Sequence, residues 1–178
     1  TGDRMATEST SSNPPHVNGK PKQAAQRRVN GVNRRHISVR PSGVYTARPD
    51  DLLGRALLAS AQGKTVPVPA NQFACPTSVD TFAKFVIAAM ESDEFGTFHA
   101  ACTGVTSRFE FFERAFALAG QPTGNLRGTA NPWQGYRIEL DDMMARLTGV
   151  YEFPTWEDDL AAFAAEHNLA ALARGMQE

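Results

Sequence analysis

The residues of this sequence whose types could do chemistry are few and scattered. Its four histidines, His16, His36, His99 and His167, fall in four separate segments with no HxxH or HExxH spacing, so they do not read as a metal set. Cys75 and Cys102 lack a CxxC partner and are too few for a disulfide framework, which reads as two reduced thiols. Cys75 precedes a predicted helix, where a thiolate could in principle be activated; the simpler reading is a variable residue before Pro76-Thr77. No Gly-x-Ser-x-Gly elbow anchors a hydrolase triad, and no Gly-x-Gly-x-x-Gly turn or other glycine-rich phosphate loop occurs. What remains is Lys22, in "HVNGKPK" (16–22), at the start of a helix.

Those residues need elements to hold them. Residues 1–15, rich in Ser, Thr, Asn and Pro, read as loop. A helix is predicted over 20–30, with Pro21 tolerated in its first turn and Asn30-Gly31 as its stop. "HISVR" (36–40) alternates and reads as a strand. "PSGVYTARPDD" reads as loop, and residues 51–64 as a helix with Leu52, Leu53, Ala56, Leu57 and Ala61 on one face. "TVPVP" suits an edge strand, because its prolines cannot donate to a central ladder. "QFACPT" reads as a loop into a helix over 78–91, "GTFHAAC" (96–102) as a buried strand. Ser107-x-x-Glu110 is a capping box opening a helix closed by Gly120. Residues 121–140 read as irregular, Asp141 as the cap of a short helix, and Thr155-x-x-Asp158 as the start of a last helix over 156–173. The stripes Phe109/Phe112/Phe116 and Trp156/Leu160/Phe163/Ala164 read as core. Helices alternating with strands predict an α/β layered fold.

Charge is unevenly spread. Residues 1–40 hold eight Lys and Arg against Asp3 and Glu8, a net of +6, so the remainder carries −7 of the overall −1. The cluster "QRRVNGVNRRH" (Arg27, Arg28, Arg34, Arg35) could be a nucleic-acid footprint, but no aromatic side chains are interleaved to stack on bases. A solvated helix end is the simpler reading, and nucleic acid is not the expected partner. No window approaches the ~20 apolar residues of a membrane helix. "TGDRMATESTSSNPP" has no apolar core and does not read as a signal peptide. A cytoplasmic protein without membrane contact is expected.

Read together, five stretches are similar to one family in the right order. "SSNPPHVNGKPKQAAQ" resembles its Asn-Pro-Leu-Asn-Val-Tyr-Gly-x-Thr-Lys-x-x-x-Glu run, and "HISVRPSGVYT" its Leu-Arg-Thr-Ser-Trp-Val-Tyr-Gly strand and loop. "VPANQFACPTSVDTFAKFV" resembles its Asp-Asp-Gln-x-Gly-x-Pro-Thr loop, "GTFHAACTGVTSRFEFFERAFALAG" its Gly-x-Tyr-His strand and Ser-x-x-Glu-Phe helix, and "LDDMMARLTGVYEFPTWEDDL" its closing segment. The chain thus resembles the extended short-chain dehydrogenase/reductases of sugar-nucleotide-binding type, with dTDP-4-dehydrorhamnose reductase of dTDP-rhamnose biosynthesis as the type.

The resemblance implies the C-terminal portion of a Rossmann-like α/β reductase with a small α/β substrate-binding region. Its parts would be a polar arm (1–19), the remainder of the Rossmann-like domain with substrate loops (20–103), and a mostly helical substrate-side region (104–178). It implies NADPH or NADH as cofactor, a nucleotide-sugar substrate, and a missing N-terminal half or a homodimer partner. Mg is possible in the family, though no acidic cluster here argues for it. "TGD" is similar to a Phe-Asp-Gly that follows the family's cofactor turn. In such enzymes a Tyr donates the proton, and a Lys four residues on lowers its pKa and holds the cofactor ribose. Lys22 keeps that place, whereas Asn18 stands at the Tyr position, and an amide cannot surrender a proton at neutral pH. His16 is two residues off register as a substitute. The chain alone is therefore expected to be inactive. Arg40, Ser42, Tyr45, Gln72 and Thr77 match substrate-side positions; Gly43, Asn71 and Ala74 depart from the usual Trp, acid and Gly. Arg40 could instead pair with the acidic C-terminal half. The rival readings are a non-catalytic sugar-nucleotide-binding or regulatory subunit and, third, a basic-arm nucleic-acid binder.

Overall fold

The structure, a computed structural model, describes residues 5–10, 19–130 and 135–174. Helix α1 (Gly19–Val32) leads into β1 (Ile37–Pro41) and β2 (Gly43–Tyr45). Then come α2 (Leu52–Ala61), the strands β3 (Val66–Pro69), β4 (Gln72–Ala74) and β5 (Pro76–Ser78), and α3 (Val79–Glu91). The second half runs β6 (Gly96–Ala100), β7 (Thr106–Ser107), α4 (Arg108–Leu118), β8 (Leu126–Thr129), β9 (Tyr136–Arg137), α5 (Met143–Thr148), α6 (Trp156–Glu166) and α7 (Leu169–Ala173).

The sheets are small and mostly parallel. β1 pairs with β6, β2 with β5, and β3 with β8, all parallel. β4 is the centre of a three-stranded sheet, antiparallel to β7 and parallel to β9. Parallel strands joined through helices make this a mixed α/β fold, as the alternation of elements predicts.

Several local readings are corrected. The stretch 41–51 contains β2, "QFACPT" forms β4 and β5 rather than a loop, and 121–140 contributes β8 and β9. These strands are two to four residues long and carry too few apolar positions for a period to be visible. α1 passes through Asn30-Gly31 to Val32 because a solvent-facing glycine costs a helix only ~1 kcal/mol. On α2, Leu53, Gly54, Ala56, Leu57 and Ser60 are the buried face, while Leu52 and Ala61 point outward. Gly54 is required there: a Cβ would stand 2.1 Å from the Arg48 carbonyl oxygen. The N-cap of α5 is Asp142, not Asp141. The last helix breaks at Asn168, whose φ of 45° is left-handed, and restarts as α7.

Two apolar clusters form the core. The larger joins α2, α4, α6 and α7 over β3, around Leu57, Phe112, Phe116, Leu160 and Phe163. The smaller, Phe85, Ala89, Phe98, Ala100, Ala145 and Phe153, lies between α3, α5 and β6, with Ile37 and Val39 of β1 packed on it. α1 contributes no buried residue at all. It is tethered by Gln26, whose amide donates to the Thr97 hydroxyl at 2.9 Å. Residues 5–10 cross the carboxyl end of β6: a Glu8 carboxylate oxygen accepts from the backbone N–H of His99 (3.1 Å) and of Met144 (3.2 Å).

Candidate functional site

Strand ends and helix starts converge on a cleft of about 110 Å³. β2 lines it with Gly43, Val44 and Tyr45, its paired strand β5 with Pro76, and β4 with Gln72 and Ala74. The starts of α2 and α4 supply Leu52, Leu53, Arg108, Phe111 and Phe112, and β9 adds Tyr136. The small residues Gly43 and Ala74 face each other; a Cβ on Gly43 would stand 3.6 Å from that of Ala74. Val44 and Leu52 at the cleft are 39% and 43% exposed, apolar surface that the chain itself leaves uncovered.

Beneath the cleft lies a polar knot. Tyr45 is buried, and its hydroxyl donates to an Asp159 carboxylate oxygen at 2.8 Å. The same carboxylate accepts from the Ser78 N–H (2.7 Å), the Ser78 hydroxyl (2.7 Å) and the Thr81 hydroxyl (2.5 Å). Asp159 sits in the first turn of α6, where the helix dipole favours negative charge. Burial first, and the Asp159 charge second, hold the Tyr45 phenol far above its ordinary value, so it stays protonated and serves as a donor. Sequence reasoning misses Asp159, although a signal exists: it lies three residues after Trp156 and four before Phe163, within the apolar stripe.

A second region is an open groove of about 710 Å³ between α1 and β1, lined by Lys22, Gln26, Val29, Val39, Arg40 and Ser42. The Arg40 guanidinium donates to Gln26 Oε1 through Nε (3.2 Å) and Nη2 (3.0 Å), and through Nη1 to the Glu8 carbonyl (3.4 Å). Its partners among the described residues are these, not acids of the C-terminal half. The Ser42 hydroxyl accepts from the Cys75 N–H at 3.0 Å.

Gln72 and Tyr45 thus meet at the cleft, whereas Lys22, Arg40 and Ser42 gather at the groove. Thr77 lines neither: it is fully buried, donating to the Cys75 carbonyl (3.3 Å) and accepting from the Cys102 N–H (2.9 Å). Asn18 and His16 lie outside the described residues. Cys75 is buried ahead of β5, and burial pushes its thiol up, the opposite of an activated thiolate. Arg27, Arg28, Arg34 and Arg35 are exposed on α1 and the turn after it, Arg35 resting 5.1 Å over the Phe95 ring. Among the described residues no three His, Cys, Asp or Glu side chains group so as to hold a metal ion. No helix among them is long and apolar enough to cross a membrane.

Residues 1–169 match the family model described as RmlD substrate binding domain. The dTDP-4-dehydrorhamnose reductase of Sinorhizobium fredii is 27% identical over 118 residues, covering 62% of this chain and 40% of that protein. The crystal structure of dTDP-4-dehydrorhamnose reductase from Bacillus anthracis, in complex with NADP, superposes with a TM-score of 0.83 at 24% identity. It covers 93% of this chain and 61% of the other. The reductase from Clostridium acetobutylicum gives 0.81 at 21% identity, covering 94% and 61%. The two crystal structures share the fold, and the chain spans about two fifths to three fifths of the length of these relatives.

Proposed function

Because the chain belongs to the RmlD substrate binding domain family, we propose that it is the substrate-side portion of an NAD(P)H-dependent sugar-nucleotide reductase resembling dTDP-4-dehydrorhamnose reductase. The observation that carries this reading is convergence. Residues from two stretches similar to the family's strand-and-loop and Pro-Thr loop, Gly43 to Tyr45 and Gln72, Ala74 and Pro76, meet on one cleft with the start of the Ser-x-x-Glu-Phe helix, Thr106 to Phe112. Its substrate would be a dTDP-4-keto-6-deoxyhexose, with the nucleotide part against the apolar walls of Val44, Leu52 and Phe111.

The groove fits one edge of a nicotinamide-nucleotide site. Lys22 supplies a cation, Ser42 a hydroxyl and Val39 an apolar wall, at the carboxyl end of a parallel strand where α/β folds bind ligands. These residues would hold the ribose side of the cofactor; the glycine turn for its diphosphate does not occur in this sequence. When bound, such a cofactor supplies the hydride that reduces a ketone. The chain's own part is to bind and orient: Arg40 is fixed by Gln26 and Glu8, and Tyr45 keeps its proton.

Asn18 favours a second reading, a nucleotide-sugar-binding subunit without catalysis, since its amide cannot act as the acid. Calorimetry separates the two. On the first reading the chain binds dTDP, and joining it to a glycine-turn half from a relative adds NADPH binding. Asn18→Tyr in the joined protein then raises turnover. On the second, dTDP binds and NADPH never does. Absence of dTDP binding in every form would remove both.

A further inference from the structure

Among the described residues, Arg108 is the cation at the cleft without an acid partner. It begins α4, half-buried, and its Nη2 donates to the Tyr136 hydroxyl at 3.2 Å. No carboxylate among the described residues lies within ion-pair distance of it, whereas Arg48 and Arg137 each have one and Arg146 has two. The acids nearby are already engaged. The Asp51 oxygens accept from the Leu52 N–H and from the N–H and hydroxyl of Thr46. Glu110 closes the capping box on Ser107.

Position adds to this. A second hollow, of about 220 Å³ between α2 and β3, shares Leu52, Arg108 and Phe112 with the cleft. The guanidinium therefore stands where the two hollows meet. Tyr136 sits beside Gln72 in the parallel register of β9 and β4, and Arg108 directly follows β7 on the other side of β4. One three-stranded sheet so delivers a guanidinium, a phenol and an amide side chain to one cleft.

We propose that Arg108, oriented by Tyr136, anchors the diphosphate of a ligand lying across both hollows, and so selects nucleoside diphosphates over uncharged nucleosides. The proposal rests on the sugar-nucleotide reading for its ligand. A guanidinium binds phosphate oxygens in a bidentate fork, and a partly desolvated site strengthens each bond. Apolar Val44 and Leu52 beside it take the uncharged part of such a ligand.

The test is arginine-specific modification with phenylglyoxal, mapped by peptide mass spectrometry, with thymidine, dTDP or pyrophosphate present. Expected is slowed modification of Arg108 by dTDP and by pyrophosphate but not by thymidine, with exposed Arg48 unaffected. In parallel, Arg108→Met should weaken dTDP binding about 10- to 100-fold, with partial recovery in Arg108→Lys. If dTDP binds wild type and Arg108→Met equally, Arg108 is not the anchor, although the sugar-nucleotide reading survives. Protection by pyrophosphate without any dTDP binding would keep the anion anchor and discard that reading. No protection by either anion overturns the proposal, even where the Met variant fails to fold.

Discussion

A single carboxylate, Asp159, accepts four hydrogen bonds in the interior and ties three elements together: β2 through Tyr45, and the start of α3 through Ser78 and Thr81, to the start of α6. Removing it leaves four buried donors without an acceptor. Asp159→Ala should therefore cost about 3–5 kcal/mol in urea unfolding, whereas Tyr45→Phe, which removes one charge-assisted bond, should cost about 1.5–3 kcal/mol. A loss below about 1 kcal/mol for Asp159→Ala would mean that the knot is not made. At this scale the sequence is only partly legible. Tyr45 and Gln72 line the cleft, but their assignment to a substrate rests on resemblance alone. Asp159 cannot, because its role depends on donors about 80 and 114 residues away in sequence, a pairing no local pattern encodes.

Helices that declare their own ends are legible in the sequence alone. Ser107-x-x-Glu110 does form a reciprocal capping box, and Thr155 caps α6 by accepting from the Asp158 N–H. The box has a pH signature. Hydrogen bonds from the Ser107 N–H, the Ser107 hydroxyl and the Thr106 hydroxyl hold the Glu110 carboxyl below its ordinary value of 4.5. A depressed carboxylate contributes stability above its unfolded pKa and loses it as pH falls through the folded one. Glu110→Gln should thus be less stable than wild type at neutral pH, and the gap should close below about pH 4.5. A pH-independent gap would locate the cost elsewhere. The short strands are illegible for a different reason. β2, β4, β5 and β9 have two or three residues each, and their partners, not their own alternation, make them strands.

At the scale of the molecule, the alternation of helix and strand is enough to predict an α/β fold, and the observed elements and their superposition on known reductases agree. One side of it is unusual for such a fold. Parallel strands are normally interior to a larger sheet and covered on both faces. Here β1 pairs only with β6 among the described residues, and α1 beside it buries nothing. In the chain alone, β1 amides that do not point at β6 should exchange hydrogen far faster than the β1 and β6 amides that pair across the two strands. A polypeptide carrying the first half of a relative should slow them. Equal protection of both sets in the isolated, monomeric chain would show that the edge needs no partner.

Both cysteines, finally, are sealed in the interior, and burial raises each thiol above its ordinary value. A sulfur that is neither ionised nor reachable cannot react with an alkylating reagent. It becomes reactive only when the packing around β5 and the end of β6 opens. The folded chain is therefore chemically silent toward thiol reagents, and any label it acquires is a timestamp of an unfolding event.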